Sequence, residues 1–327
     1  MNGKHLIKIA DRRVKYTLEL VRNITVIQGD SGTGKTTLFD MVSAYSRLKE
    51  RSGVQIQCDK SCTALYAESD WETRLRNLSD SIIFIDEDAE YVGSREFAAA
   101  IRDSDNYYVI FSRQPLHELP YSVEEVYEIK TSGKFHKLQK RYRSGKGYVY
   151  AKATGRGPAS VLLTEDSHAG YQLYDQHYSG SKVRCISAGS NTGIYAFLRE
   201  HHQEKVFVIA DGAAFGAEME RVLKLQQQFP DKITLCLPES FEWLILQSGL
   251  IEIAGLREML ENPSDFIESG QFFSWEQFFT DYLIRHTAGT YYAYSKSKLQ
   301  GFYLLTENRN RILALIMANM PKPVKKE

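Results

Sequence analysis

The sequence predicts an α/β protein of two domains, each built on a mainly parallel sheet, with a helical appendage at the C-terminal end. Three observations predict this. The 327 residues exceed what one typical core organises. Short runs of β-type residues alternate with helical patterns in both halves of the chain. Between them, Gly145, Gly147, Gly155, Gly157 and Pro158 interrupt the rhythm, which places a boundary between domains 1–150 and 151–327.

In the first half, Asn23–Gln28 reads as a strand entering a glycine-rich turn, and Lys35–Lys49 as the helix that leaves it. Val54–Gln57 and Thr63–Tyr66 are short strands. Ser81–Asp86 and Tyr107–Ser112 are near-continuous apolar runs, as expected of strands covered on both faces. Ser94 caps a helix over 94–102. The second half repeats the pattern, with strands at Ser160–Thr164, Lys182–Ser187, Lys205–Ala210 and Lys232–Leu237. Helices are expected from about Ala169, over Thr192–His202, over Gly216–Gln228 and from Ser240 to about Gln247. From Pro263 onward the pattern is helical and aromatic, and Ser274-Trp275-Glu276-Gln277 fits a capping box.

Composition is that of an ordinary soluble globular chain, and formal net charge is zero. A nucleic-acid partner would therefore need a local basic patch rather than the overall field. The first residues carry no apolar signal core, and the longest apolar run, Ile312–Met320, is too short to cross a bilayer. A cytoplasmic protein with no membrane contact is expected. Four cysteines show no zinc-type spacing of two ligand pairs, so Cys58, Cys62, Cys185 and Cys236 are read as reduced thiols.

The most specific motif is Gly29-Asp30-Ser31-Gly32-Thr33-Gly34-Lys35-Thr36, with Thr37 after it. Glycines let main-chain amides turn towards phosphate oxygens that a Cβ would hold off. The helix starting at Lys35 aims its positive end at the same anion. Lys35 is placed to reach the β- and γ-phosphates, and the Thr36 hydroxyl to ligate Mg²⁺. At the end of the apolar run 82–85 stand Asp86 and Glu87. Asp86 suits the metal's water shell, and Glu87 suits polarisation of an attacking water. Asp88 and Glu90 read as solvated neighbours.

These residues resemble the Walker A and Walker B motifs of the P-loop NTPase superfamily over roughly Ile24–Ile129. The resemblance implies binding and hydrolysis of ATP with Mg²⁺. No N-K-x-D motif is present to read guanine, and no L-S-G-G-Q signature of transporter-type ATPases. Ser112-Arg113-Gln114 follows the next apolar strand, where many such ATPases carry a γ-phosphate sensor. Arg113 or Gln114 fits that role, and Arg113 equally fits a solvated sheet edge. An arginine from a neighbouring subunit often completes such sites, so a homo-oligomer or partner subunit is a further expectation.

From Lys130 to Arg156 there are nine Lys or Arg, no Asp or Glu, and interleaved Tyr142, Tyr148 and Tyr150. Basic side chains with aromatics suit contact with DNA or RNA, and suit a solvated hairpin as well.

In the second half, acids follow the strands: Glu165 and Asp166 after the first, Asp211 after the third, Glu239 and Glu242 after the fourth. The carboxyl ends of parallel strands share one edge, so these acids are expected to converge and to attract a divalent metal. The arrangement resembles the Rossmann-like Toprim fold of topoisomerases, primases and defence-associated nucleases, over about Ser160–Gln247. In that resemblance Glu165 takes the first acidic position and Asp211 the second, as metal ligands for nuclease chemistry. Ser240-Phe241-Glu242-Trp243-Leu244 is similar to a segment of the defence-associated relatives. Ala213 stands where a further Asp belongs, and Phe215 at another acidic position. The resemblance therefore implies either a metal-dependent nuclease or a Toprim-like module that binds without cutting.

Overall fold

A computed structural model of the chain describes residues 1–29, 32–66, 70–155 and 157–324. It is a mixed α/β protein that divides into two units. Met1–Tyr142 and Glu261–Ser274 form the first; Arg143–Leu260 and Trp275–Glu327 form the second.

Among the described residues of the first unit, nine strands make one sheet. They are β1 (His5–Ala10), β2 (Lys15–Leu20), β3 (Ile24–Ile27), β4 (Gln55–Gln57), β5 (Ser61–Leu65), β6 (Ser81–Ile85), β7 (Tyr107–Phe111), β8 (Val126–Ser132) and β9 (Phe135–Lys140). Their order is β4-β1-β2-β9-β8-β3-β7-β6-β5. The run β8-β3-β7-β6-β5 is parallel throughout. The other side mixes directions: β1 is antiparallel to β2 and β4, β8 is antiparallel to β9, and β2 is parallel to β9. The expected parallel sheet is thus only part of the sheet. β1 and β2, absent from the sequence reading, alternate buried and exposed residues, as one-sided strands do. β6 and β7 are buried along their whole length, as their apolar runs predict.

The two ends of this sheet, β4 and β5, are joined by only Cys58–Lys60. A trans chain spans at most about 3.3–3.6 Å per residue, so both edges must come together there. The sheet consequently curls around α1 (Lys35–Leu48), whose Leu38, Phe39, Met41 and Val42 share one core with Ile7 and Ile9 of β1, Leu18 of β2 and Phe84 of β6. The junction is tied on both sides. Asp59 Oδ2 lies 2.8 Å from His5 Nδ1 of β1, and Lys60 Nζ lies 2.6 Å from Asp80 beside β6.

Further helices of this unit are α2 (Trp71–Arg76) and α3 (Arg95–Arg102). Ser94 caps α3 as expected, its Oγ accepting from Phe97 N at 3.1 Å. Residues 261–274 return to this unit rather than joining the appendage. Gly3 N donates to Ser264 O at 2.7 Å, Ser269 N to Met1 O at 2.9 Å, and Asn23 Nδ2 to Phe273 O at 3.0 Å.

The second unit carries a five-stranded sheet among its described residues. Its strands are β10 (Val149–Ala151), β11 (Val161–Thr164), β12 (Arg184–Ser187), β13 (Val206–Ile209) and β14 (Ile233–Cys236), in the order β10-β14-β13-β11-β12. β12, β11, β13 and β14 are parallel, and β10 adds antiparallel to β14. β10 spans the expected boundary at 150/151, so the division falls at 142/143 instead. Of the glycines that suggested the later position, Gly145 and Gly147 precede β10, and Gly155 and Gly157 lie in its connection to β11. The helices are α4 (Ala169–Tyr178), α5 (Asn191–Glu200), α6 (Met219–Gln228), α7 (Phe241–Gln247), α8 (Leu256–Glu261), α9 (Trp275–Thr287), α10 (Gly301–Leu304) and α11 (Thr306–Leu313). None of the described helices is long and apolar enough to cross a membrane.

Candidate functional site

Strand order decides what meets at the carboxyl ends of the first sheet. β7 lies between β3, which leads into the glycine-rich loop, and β6, which Asp86 directly follows. Residues after β7 therefore emerge between the loop and the acid pair. Gly29, Gly32 and Gly34 all have positive φ, at 139°, 83° and 95°. Side chains rarely adopt that backbone, which is why glycine stands at these three positions. Asp30 and Ser31 lie outside the described residues.

Lys35 opens α1 and is buried, and its ammonium donates to the Gly29 carbonyl. The same ammonium lies 4.0 Å from Glu87 Oε2. Thr36 and Thr37 follow in the first turn of α1. Arg113, just past β7, grips Glu87 with two hydrogen bonds, Nε to Oε2 at 3.0 Å and the terminal nitrogen to Oε1 at 2.6 Å. The guanidinium holds the Glu87 carboxyl below its ordinary range against a smaller opposing effect of burial. Asp86 is different: burial raises it, and Asp88, Glu87 and Asp40 add to that against the Glu87 amide, which donates to Asp86 Oδ1 at 2.9 Å. A partly buried carboxylate with acidic neighbours is the kind of group that a cation relieves.

A cleft of about 470 Å³ opens beside the acid pair, lined by Asp86, Glu87, Arg113 and Gln114 among others. Of the two sensor candidates, Arg113 is the one bonded to Glu87. Gln114 instead helps shape the turn, its main-chain N donating to Ser112 Oγ at 3.1 Å. Arg95 pairs with Glu118 at 3.4 Å.

Three residues under the loop escaped the sequence reading. Tyr16 of β2 donates its hydroxyl to the Gly34 carbonyl at 3.0 Å, and its ring stacks on His136 of β9 with centroids 4.4 Å apart. Thr131 of β8 lies 2.9 Å from His136 Nδ1. A Cβ at Gly34 would fall 2.8 Å from the Tyr16 hydroxyl, so this glycine is needed for space as well as for its φ. The alternation of Lys15–Leu20, with Tyr16 on the buried face, was the available signal.

The basic stretch Lys130–Arg156 is shared between the two units. Several of its members are engaged locally. Lys140 pairs with Glu124, and Arg141 with Glu128 at 2.9 Å. Tyr142 is buried, and Tyr148 packs edge-on against Trp243 at 5.2 Å, so neither ring stands out in solvent as a stacking platform.

In the second unit the acids after β11, β13 and β14 do come together. Asp211 N donates to Glu165 Oε2 at 3.3 Å, and Asp211 Oδ1 accepts from Phe241 N, the first residue of α7, at 3.1 Å. Glu242 is buried in α7 and accepts from the Tyr294 hydroxyl at 2.7 Å. Glu276, in the first turn of α9, bonds the Lys296 ammonium at 2.5 Å. Burial works against that ammonium, but Glu276, Glu242 and Asp211 together hold its pKa above the ordinary lysine range. Burial, then Glu276, pushes Glu165 up to about 7. Burial raises Asp211 well above the carboxylate range, with Glu276, Glu165 and Glu242 adding to it.

Other acids have hydrogen-bond or ion-pair partners of their own. Asp166 Oδ1 accepts from Tyr171 N at 3.1 Å, inside the first turn of α4. Glu218 is buried in a pair with Arg221. Ala213 and Phe215 are core residues, with Ala213 N bonded to Glu239 O at 3.0 Å. Among the described residues, no three or more His, Cys, Asp or Glu are arranged to hold a metal ion. A lysine ammonium sits among the carboxylates instead. Lys296 and Tyr294 lie in the irregular segment after α9, where no motif or periodicity announces them.

Comparison with models of known protein families gives no match, and comparison with curated proteins gives none either.

Proposed function

We propose that the first unit binds and hydrolyses ATP with Mg²⁺, and that the second is a Toprim-like module acting on nucleic acid under its control. The observation that carries the first part is the meeting of Lys35, Glu87 and Arg113 at the carboxyl ends of β3, β6 and β7. Main-chain amides of the glycine-rich loop and the Lys35 ammonium bind the phosphates. Thr36 and Asp86 are the residues that would hold Mg²⁺, whose charge offsets that on the phosphate oxygens. Asp86, raised by burial and acidic neighbours, fits that role. Glu87 is ionised at neutral pH under the hold of Arg113 and orients the attacking water. A phosphate drawing Lys35 and Arg113 towards itself loosens their hold on Glu87.

For the second unit, Ala213 and the Lys296 ammonium favour the version of this reading in which the module binds nucleic acid without cutting it. Two carboxylates beside a lysine make a weak divalent site, because the ammonium already neutralises part of their charge. The test is ATP turnover and plasmid integrity measured together, with Mg²⁺ or Mn²⁺. Turnover stimulated by DNA or RNA with the plasmid intact is expected. Cleavage that disappears in Glu165→Ala and Asp211→Ala would instead establish a nuclease.

A further inference from the structure

The opposite edge of the second sheet carries a different chemistry. Lys205 directly precedes β13 and Lys232 directly precedes β14, so both stand at the amino ends of strands whose carboxyl ends carry the acid cluster. A four-residue strand separates the two edges by about 13 Å at 3.3 Å per residue. At the amino edge lies a cleft of about 440 Å³. Lys152, Lys205, Lys232 and Lys322 line it, with Pro158, Met320 and Val324 among its apolar residues, and no described Asp or Glu lines it. The nearest carboxylate in an ion pair there is Asp231, 3.5 Å from the Lys232 ammonium and itself half exposed. Lys152 and Lys322 present exposed ammonium groups at this cleft.

The cleft is built rather than left over between side chains. Its C-terminal wall is fixed by Tyr178, whose hydroxyl donates to Pro321 O at 2.7 Å, and by Lys182 N, which donates to Val324 O at 2.7 Å. Asn319 Nδ2 donates to Lys146 O at 2.9 Å on the same wall. On the other side, a Cβ at Gly155 would lie 2.9 Å from Asp231 and 3.3 Å from Lys205 Nζ, so glycine lets the main chain close in there.

We propose that this cleft binds a phosphate-bearing small molecule of nucleotide size. Its volume falls in the range of about 300–1,000 Å³ typical of small-ligand pockets. Lysine ammonium groups recognise phosphate as point charges. The apolar wall supplies a surface for a base or a similar flat group, which a site for inorganic phosphate alone does not need. Such a site lies on the far edge from the acid cluster, and it stands whether or not the first unit hydrolyses ATP.

The test is calorimetry on the full chain carrying Lys35→Ala, with ADP and inorganic triphosphate as separate probes. Lys35→Ala weakens the first unit's site, and the part of the remaining binding that substitutions in the cleft remove reports the cleft. Saturable ADP binding is expected to remain and to weaken roughly tenfold or more when Lys152→Ala, Lys232→Ala and Lys322→Ala are added, with the melting temperature unchanged. The double variant Lys152→Ala/Lys322→Ala, which alters only exposed side chains, is expected to weaken it in the same direction. No saturable binding of either probe, or binding indifferent to these substitutions, overturns the proposal. Binding of triphosphate with none of ADP overturns it too, because the apolar wall would then have no part.

Discussion

Glu87→Gln is expected to lower ATP turnover by about 10²–10⁴-fold, the usual contribution of a positioned acid or base, while leaving ATP affinity close to that of the parent chain. The glutamine keeps the size and one acceptor oxygen, so the Arg113 contact persists in weaker form. What disappears is the negative charge, which Arg113 and Lys35 now share at 2.6 and 4.0 Å. Turnover measured by phosphate release, beside affinity from calorimetry, separates the two effects. Equal loss of both would place Glu87 in binding rather than in the chemical step.

The second large effect is expected at Lys296. Replacing it by methionine keeps the apolar stem but leaves Glu165, Asp211, Glu242 and Glu276 without their shared cation. Removing one partner of a fully buried pair costs about 3–5 kcal/mol. Lys296 is 41 % exposed, so solvent screening reduces this to about 1–3 kcal/mol. The pH dependence has a definite sign. Glu165 titrates at about 7 in the folded protein, above its ordinary value, so the folded state binds the proton more tightly than the unfolded state. Its contribution to stability is present below the ordinary carboxylate range and is lost as pH rises through about 7. Without the ammonium, that loss deepens, and the gap in melting temperature between parent and Lys296→Met is expected to widen from pH 5 to pH 8. Added Mg²⁺ or Mn²⁺ is expected to narrow the gap at pH 8, because the vacated place then suits a divalent ion. A gap independent of both pH and metal would show that Lys296 contributes packing alone.

Much of the first unit was legible because its central strands are read from unbroken apolar runs. Ile82–Ile85 and Tyr107–Phe111 are buried on both faces, and burial of that kind leaves no other periodicity to confuse with it. β1 and β2 were missed because they are covered on one face only, so Lys8, Lys15 and Glu19 alternate with buried residues and no unbroken apolar run forms. The closure of the curled sheet at Cys58–Lys60 depends on strand order, which no local pattern encodes. Glycines misplaced the boundary because they break local structure wherever they cluster, inside a unit as well as between units. At the sites, residues within a motif or at a strand end were readable: Lys35, Glu87, Glu165, Asp211. Tyr16, His136, Tyr294 and Lys296 were not, since each reaches its site by tertiary packing from a distant segment.

Calorimetry of Mg·ATP with the Lys35→Ala chain, at matched salt, decides whether the glycine-rich loop and its lysine hold the triphosphate. Loss of a charge-assisted contact worth about 1.5–3 kcal/mol predicts affinity weaker by roughly tenfold to a hundredfold. Undiminished affinity would contradict the account of the first unit, because the lysine that opens α1 would then have no part in holding the triphosphate.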